Sequence, residues 1–282
     1  MNAVPPVRYA TLAYGESPAV YAQATMLMVS LVAYAPQPRE FVVLTDHPDR
    51  FLWVREAVRI LSIPASQLQS WAGPVSFSMR QKLGAAAWLS RAHAPLVFVD
   101  ADVVASGPLD AVADGVRSGT RYMHKREFEL GSNTRKGNVR LWRELQARNF
   151  GSFQFRQTDA MWNSGVLALP AGDERVLQDA LSLYDAMASA GIRHFATEQL
   201  VAGAVLDRAG ELREARQWFT HYWGNKNNFT REIDRRLASI HERGLTPEAA
   251  AREYAADPIR LPAEVRPGRI EKLKRYFRLF GS

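Results

Sequence analysis

The 282-residue sequence contains no cysteine. That excludes disulfides and thiolate metal sites, and leaves oxygen and imidazole as the side-chain ligands for any metal. It also lacks a convincing membrane span. Residues 17–38 carry no formal charge, but Gln23, Thr25 and Ser30 interrupt the run and Pro18, Pro36 and Pro38 bound it. A helix lying against a sheet is expected there instead. The opening MNAVPPVRYATLAYG places prolines where a signal peptide has its basic start and apolar stretch, so a cytoplasmic protein is expected. Acids are outnumbered, 29 against 36 Lys and Arg, and the net charge of +7 points to anionic partners without naming them. No Gly/Ser-rich linker and no internal repeat divides the chain.

What is present is an ordinary globular composition, 47% apolar, enough for a substantial core. The first hundred residues alternate strand and helix patterns. Strands are expected at about 7–13, 40–45 and 95–99, with a weaker one near 67–71, and helices at about 19–34, 49–61 and 79–90. That rhythm predicts an α/β fold, a mainly parallel sheet with helices on both faces, whose ligands bind beyond the carboxyl ends of the strands. Residues 126–160 alternate between polar, basic and aromatic and read as an excursion with one short helix, a natural lid or acceptor platform. The strand GVLALP and helices at about 173–190 and 198–209 follow. The expected division is a catalytic domain over 1–230 and a helical region over 231–282.

Within LVFVDADVVA, Asp100 and Asp102 interrupt an apolar run at the ligand edge of the sheet. Acids at i and i+2 of a strand end point to one side, where two like charges need a positive partner. Oxygen ligands suit Mn2+ or Mg2+. In the tail RPGRIEKLKRYFRLFGS (266–282), Ile270, Leu273, Phe277 and Phe280 recur at helical spacing among Lys272, Lys274, Arg275 and Arg278. Such a basic amphipathic helix predicts peripheral contact with an anionic membrane surface. No nucleic-acid module is recognisable, and no nucleic-acid partner is expected.

Taken in order, FSMRQKLGAAAWL (77–89), FVDADVV (98–104), MWNSGVLAL (161–169), TEQLVAGAVL (197–206) and HYWGNKNNF (221–229) resemble the retaining glycosyltransferases of family 8. These have the GT-A fold and use nucleotide-sugar donors; bacterial lipopolysaccharide galactosyltransferases and glycogenin are members. The resemblance spans about residues 7–229. It implies a UDP-sugar donor and a cell-surface glycan or glycolipid acceptor. The family's D-x-D maps to Asp100 and Asp102, and the histidine of its H-x-x-G motif to His221, together a Mn2+ or Mg2+ site bridging the donor diphosphate. Gly224 would let backbone approach the phosphates. Arg80 of RQKLG would be a donor ligand, with Lys82, two residues on, facing elsewhere on the helix. Asn163 would meet the donor sugar or the acceptor, Glu198 would bind sugar hydroxyls, and Gln199 would lie beneath the anomeric carbon. An amide is a poor nucleophile, so the resemblance implies front-face attack rather than a covalent glycosyl-enzyme.

The chain also departs from the family pattern. The lysine after H-x-x-G, Lys226, comes one residue early, without the usual proline and tryptophan. The first strand ends in TLAYGES without the acid that holds the nucleobase in many members, leaving Ala13 for a backbone contact and Tyr14 for stacking. Two other readings compete. Haloacid-dehalogenase-type phosphohydrolases also begin with a strand and D-x-D, but need a later acidic motif, and GDERVLQD (172–179) has the wrong spacing for it. A catalytically inactive protein of the same fold that binds nucleotide-sugar or glycan would accommodate the altered lysine motif.

Overall fold

The computed structural model describes residues 4–74, 79–192, 194 and 196–260. The chain begins with β1 (Val7–Ala13), α1 (Pro18–Tyr34), β2 (Arg39–Thr45), β3 (Arg59–Ser62), α2 (Ala65–Ala72), α3 (Met79–Ser90) and β4 (Leu96–Val99). It continues through β5 (Val103–Ala105), α4 (Asp110–Arg117), β6 (Arg121–Glu129), α5 (Lys136–Gln146), β7 (Ala160–Leu169), α6 (Glu174–Ser189) and α7 (Thr197–Ala209). It ends with β8 (Leu212–Glu214), β9 (Phe219–His221), α8 (Lys226–Glu242) and α9 (Pro247–Ala256).

Seven strands form one α/β sheet in the order β3-β2-β1-β4-β7-β6-β8. It is mostly parallel, with β7 antiparallel to both of its neighbours. Alternation sorts the strand side chains onto two cores. Val97 and Val99 of β4 and Val166 and Ala168 of β7 pack with α1. Leu96 and Phe98 of β4 and Leu167 and Leu169 of β7 pack with α3, α6 and α7. All of β7 is buried, as expected of a strand covered on both faces. The chain winds outward from β1 to β2 and β3, then returns to place β4 on the other side of β1. A crevice therefore opens beyond the ends of β1 and β4, where the direction of winding reverses.

Four expectations need correction. Residues 67–71 are helical within α2, because Leu68, Trp71 and Ala72 are buried at i, i+3 and i+4. The helix expected over 49–61 is a 3-10 turn at Pro48–Val54 followed by edge strand β3, whose residues are all partly or fully exposed. The strand at GVLALP begins five residues earlier, at Ala160. The boundary at 230/231 falls inside α8, and α8 and α9 belong to the α1 core through Phe229, Ile233, Ile240, Ala250, Ala251 and Tyr254. Gln23 donates to Thr230 at 3.0 Å, and the Tyr254 hydroxyl donates to the Ala105 carbonyl at 3.0 Å, joining these helices to the sheet side. The excursion over 126–160 carries one α-helix, α5, as expected, together with a 3-10 turn at Leu130–Ser132, and β6 extends into it. No helix among the described residues is long and apolar enough to cross a membrane. The basic tail at 266–282 lies outside the described residues.

Candidate functional site

A cleft of about 610 Å³ lies over the crevice between β1 and β4, within the 300–1,000 Å³ or so typical of small-molecule sites. Asp100 and Asp102 sit on its floor, in a tight turn rather than in the strand. The Asp100 N–H donates to the Gly165 carbonyl of β7 at 2.9 Å, and the Val103 N–H donates to the Asp100 carbonyl at 3.1 Å. The turn, not strand alternation, brings the two carboxylates together. Beyond it, β5 pairs with β9 so that Val103 faces His221. This places His221 Nε2 3.3 Å from Asp102 Oδ1. Asp100, Asp102 and His221 each offer a ligand atom within 4.8 Å of the others.

The orientation of His221 is fixed from behind. Asn163 Oδ1 accepts the Gly165 N–H at 3.0 Å and contacts His221 Nδ1 at 2.8 Å. The backbone donor assigns that atom as oxygen, so Nδ1 carries the proton and, in the neutral ring, the Nε2 lone pair faces Asp102. Two acceptors facing each other repel unless a cation or a second proton lies between them. This tautomer, held by an amide behind it, is the one a metal-ligating histidine needs. Two carboxylates and one imidazole fit Mn2+ or Mg2+, so the donor set passes this test. Gly165 makes the arrangement possible, since a Cβ there would stand 2.4 Å from His221 Nδ1. His124 of β6 packs edge-on to His221 with ring centroids 5.5 Å apart, and its Nε2 bonds the Phe219 carbonyl of β9 at 3.2 Å. Burial, with the His221 charge adding, lowers the His124 pKa to about 4.

Each aspartate also has an ammonium partner. Lys82 Nζ donates to Asp100 Oδ2 at 2.8 Å and to the Ser164 hydroxyl at 2.9 Å, and lies 3.6 Å from Glu198 Oε1. Lys226 Nζ donates to Asp102 Oδ2 at 3.1 Å. Burial works against ionisation of Asp102, but with the second proton on His221 Nε2 the hydrogen bond and charge of that ring, and then Lys226, outweigh it and hold the carboxyl below its usual range. Burial also opposes the Lys82 charge, yet Asp100 and Glu198 overcome it and raise the pKa. Burial pushes the Glu198 carboxyl up, with Lys82 pulling the other way. Glu198 receives the Ser164 hydroxyl on Oε2 at 2.8 Å, while its buried Oε1 accepts no hydrogen bond from any described residue.

The structure gathers most of the expected site residues. Tyr14, Asp100, Asp102, Asn163, Glu198, Gln199, His221 and Lys226 line one cleft. The Gln199 amide makes no hydrogen bond among the described residues. Arg80 is placed elsewhere. Its guanidinium forks onto Asp185 of α6, with two bonds of 2.7 Å, and donates to the Trp71 carbonyl at 2.8 Å. Residues 80 and 82 lie about 200° apart around α3, and it is the Lys82 face that meets the cleft. The Ala13 side chain is buried in the α1 core, and Gly224 lies within the 3-10 turn Trp223–Asn225 without lining the cleft. The Asn163 oxygen is committed to His221 and Gly165 rather than to a sugar. Asp173 of GDERVLQD is taken up by Arg121 at 2.6 Å, so it does not complete a phosphohydrolase-type acid cluster with Asp100. Ser164, His124, Arg135, Asn138 and the 58%-exposed Trp223 were not singled out from sequence; of these, the signals were adjacency to Asn163 for Ser164 and to His221 for Trp223. No protein-family model matches the chain, and no curated protein matches it in sequence.

Proposed function

We propose that the chain is a metal-dependent retaining glycosyltransferase of GT-A type, moving a hexose from a UDP-sugar to a cell-surface glycan or lipid-linked acceptor. The convergence of Asp100, Asp102 and His221 in a cleft at the β1/β4 switch point carries this reading. A divalent cation held by these three residues would offset the charge on the departing nucleoside diphosphate. Asn163 keeps the His221 lone pair directed at that position. Lys226 is half-exposed, with 50% of its side chain accessible, and can turn from Asp102 to a phosphate oxygen. Tyr14, at the end of β1, offers a ring to the nucleobase. Glu198, paired with Lys82 at the edge of the cleft, is the acid expected to meet the sugar hydroxyls. Its pairing with Lys82 and its place behind Ser164 make it a poor nucleophile, and Gln199 offers an amide. The acceptor hydroxyl therefore attacks from the side the diphosphate leaves, and the leaving phosphate takes its proton. Peripheral association with the cytoplasmic face of a membrane through 266–282 belongs to the same proposal.

The test is turnover of a panel of UDP-hexoses with Mn2+, following UDP release and the anomeric configuration of the product. The reading expects UDP release that is lost in Asp100→Asn and Asp102→Asn, with retained configuration. A glycosyl group trapped on Glu198 would refute the front-face mechanism. Phosphate release from a generic aryl phosphate without nucleotide would instead favour a phosphohydrolase.

A further inference from the structure

The far end of the cleft has its own chemistry. β1 and β6 are separated in the sheet by β4 and β7, so their ends lie about 14 Å apart at roughly 4.8 Å per strand. The metal-ligating residues fall between them. One end is lined by Leu12, Tyr14, Val20 and Gln23. The other is lined by Glu127 and Phe128 from β6, Arg135 and Asn138 at the start of α5, and Met161.

Among the described residues, the Lys and Arg side chains lining the cleft are Lys82, Arg135 and Lys226. Lys82 is paired with Asp100 and Glu198, and Lys226 with Asp102. The Arg135 guanidinium makes no hydrogen bond or ion pair with any described residue, Glu127 included. α5 buries Leu141 and Leu145. Lys136, Arg140 and Arg143, at i, i+4 and i+7, share the side of the helix opposite Asn138, and among the described residues only Arg140 of these has an acid partner, Glu144 at 2.9 Å. These three face away from the cleft, so Arg135 is the cation that this end of it presents among the described residues. An unpaired cation in a cleft raises the local concentration of anions, an attraction that a neutral sugar does not share. A guanidinium offers forked donors matched to a phosphate or carboxylate. Phe128 and Met161 supply the apolar surface a pyranose ring needs beside its charged group.

We propose that this end of the cleft is an acceptor subsite for an anionic saccharide, with Arg135 gripping a phosphate or carboxylate on the sugar and Asn138 bonding a neighbouring hydroxyl. The assignment of this end to the acceptor rests on the transferase reading; the anion preference rests on Arg135.

Glucose 6-phosphate, glucuronate and glucose are titrated in turn into the full chain with Mn2+ and UDP present to fill the diphosphate end. The same series is run on Arg135→Gln and Arg143→Gln. The expected result is that both anionic sugars bind at least about tenfold more tightly than glucose. The preference is lost in Arg135→Gln and kept in Arg143→Gln, whose side chain lies on the far side of α5. A preference confined to the phosphate or to the carboxylate identifies which anion is read, provided that it depends on Arg135. Equal binding of glucose, a preference that survives Arg135→Gln, or no binding of any of the three at millimolar concentration would overturn the proposal. UDP titration of the wild-type chain judges the transferase reading separately. Failure of UDP to bind, beside an intact Arg135-dependent preference, would sink that reading and leave the anion site standing.

Discussion

Gly165→Ala tests whether His221 is held in a ligating position by its surroundings. The added Cβ would meet His221 Nδ1 at 2.4 Å and its Cγ and Cε1 at 2.9 Å, whereas ordinary contact begins at 3.4 Å. The ring must move by about 1 Å, because the Cβ is fixed to β7, which is buried throughout. A shift of that size breaks the 2.8 Å contact with Asn163 and swings Nε2 away from Asp102. Disturbing the support of a metal-ligating histidine typically costs about 10–100-fold in metal affinity. Overpacking costs about 1–3 kcal/mol of stability, or roughly 2–10 °C in Tm for a chain of this size. Gly165 does not have the positive φ that would strain an alanine, so the steric contact alone carries the effect. Mn2+ titration by calorimetry, with a thermal melt of the same sample, reads both quantities. If Gly165→Ala binds Mn2+ as tightly as the wild type while remaining folded, the account of His221 is wrong.

Three further predictions concern the residues around the cluster. Arg80→Met should cost about 2 kcal/mol by breaking the partly buried fork onto Asp185, and leave UDP affinity unchanged; a large loss of UDP affinity without destabilisation would restore Arg80 as a donor ligand. Lys82→Met should cost about 3–5 kcal/mol in urea unfolding, because it strands Glu198 and Asp100 without their cation; a loss below about 1 kcal/mol would refute the ion-pair network. With EDTA present, His124 should destabilise the fold on acidification. Its folded-state pKa of about 4 lies below the ordinary 6.5, so its contribution is present above pH 6.5 and lost as pH falls toward 4. The loss is at most about 3 kcal/mol. His124→Gln should flatten that slope, and an unchanged slope would assign the acid sensitivity elsewhere.

The parts of this fold that were legible in the sequence are those where pattern and burial agree. The strands β1, β2 and β4 are short apolar runs, and α1 and α3 are long enough for their type to be plain. Eight-residue α2 and exposed edge strand β3 carry too few core positions to declare their type, and both were misread. Asp100 and Asp102 stood out as two acids at the end of an apolar strand, whereas His221 entered only through the resemblance of HYWG to the family's H-x-x-G motif. The choice between Arg80 and Lys82 turned on the phase of α3 against the sheet, which spacing within the helix does not specify. The role of Asn163 behind His221 depends on a side-chain contact between β7 and β9, 58 residues apart in sequence. Arg135 stood out only once its lack of a carboxylate partner could be seen.

The most direct test of the central claim is calorimetric titration of UDP into the wild-type chain with Mn2+, the same titration with EDTA, and the Mn2+ titration of Asp102→Asn. Binding that requires Mn2+ and is lost in Asp102→Asn is the predicted result. UDP binding that is equally tight with EDTA, or unchanged in Asp102→Asn, would contradict a metal-bridged diphosphate at Asp100, Asp102 and His221.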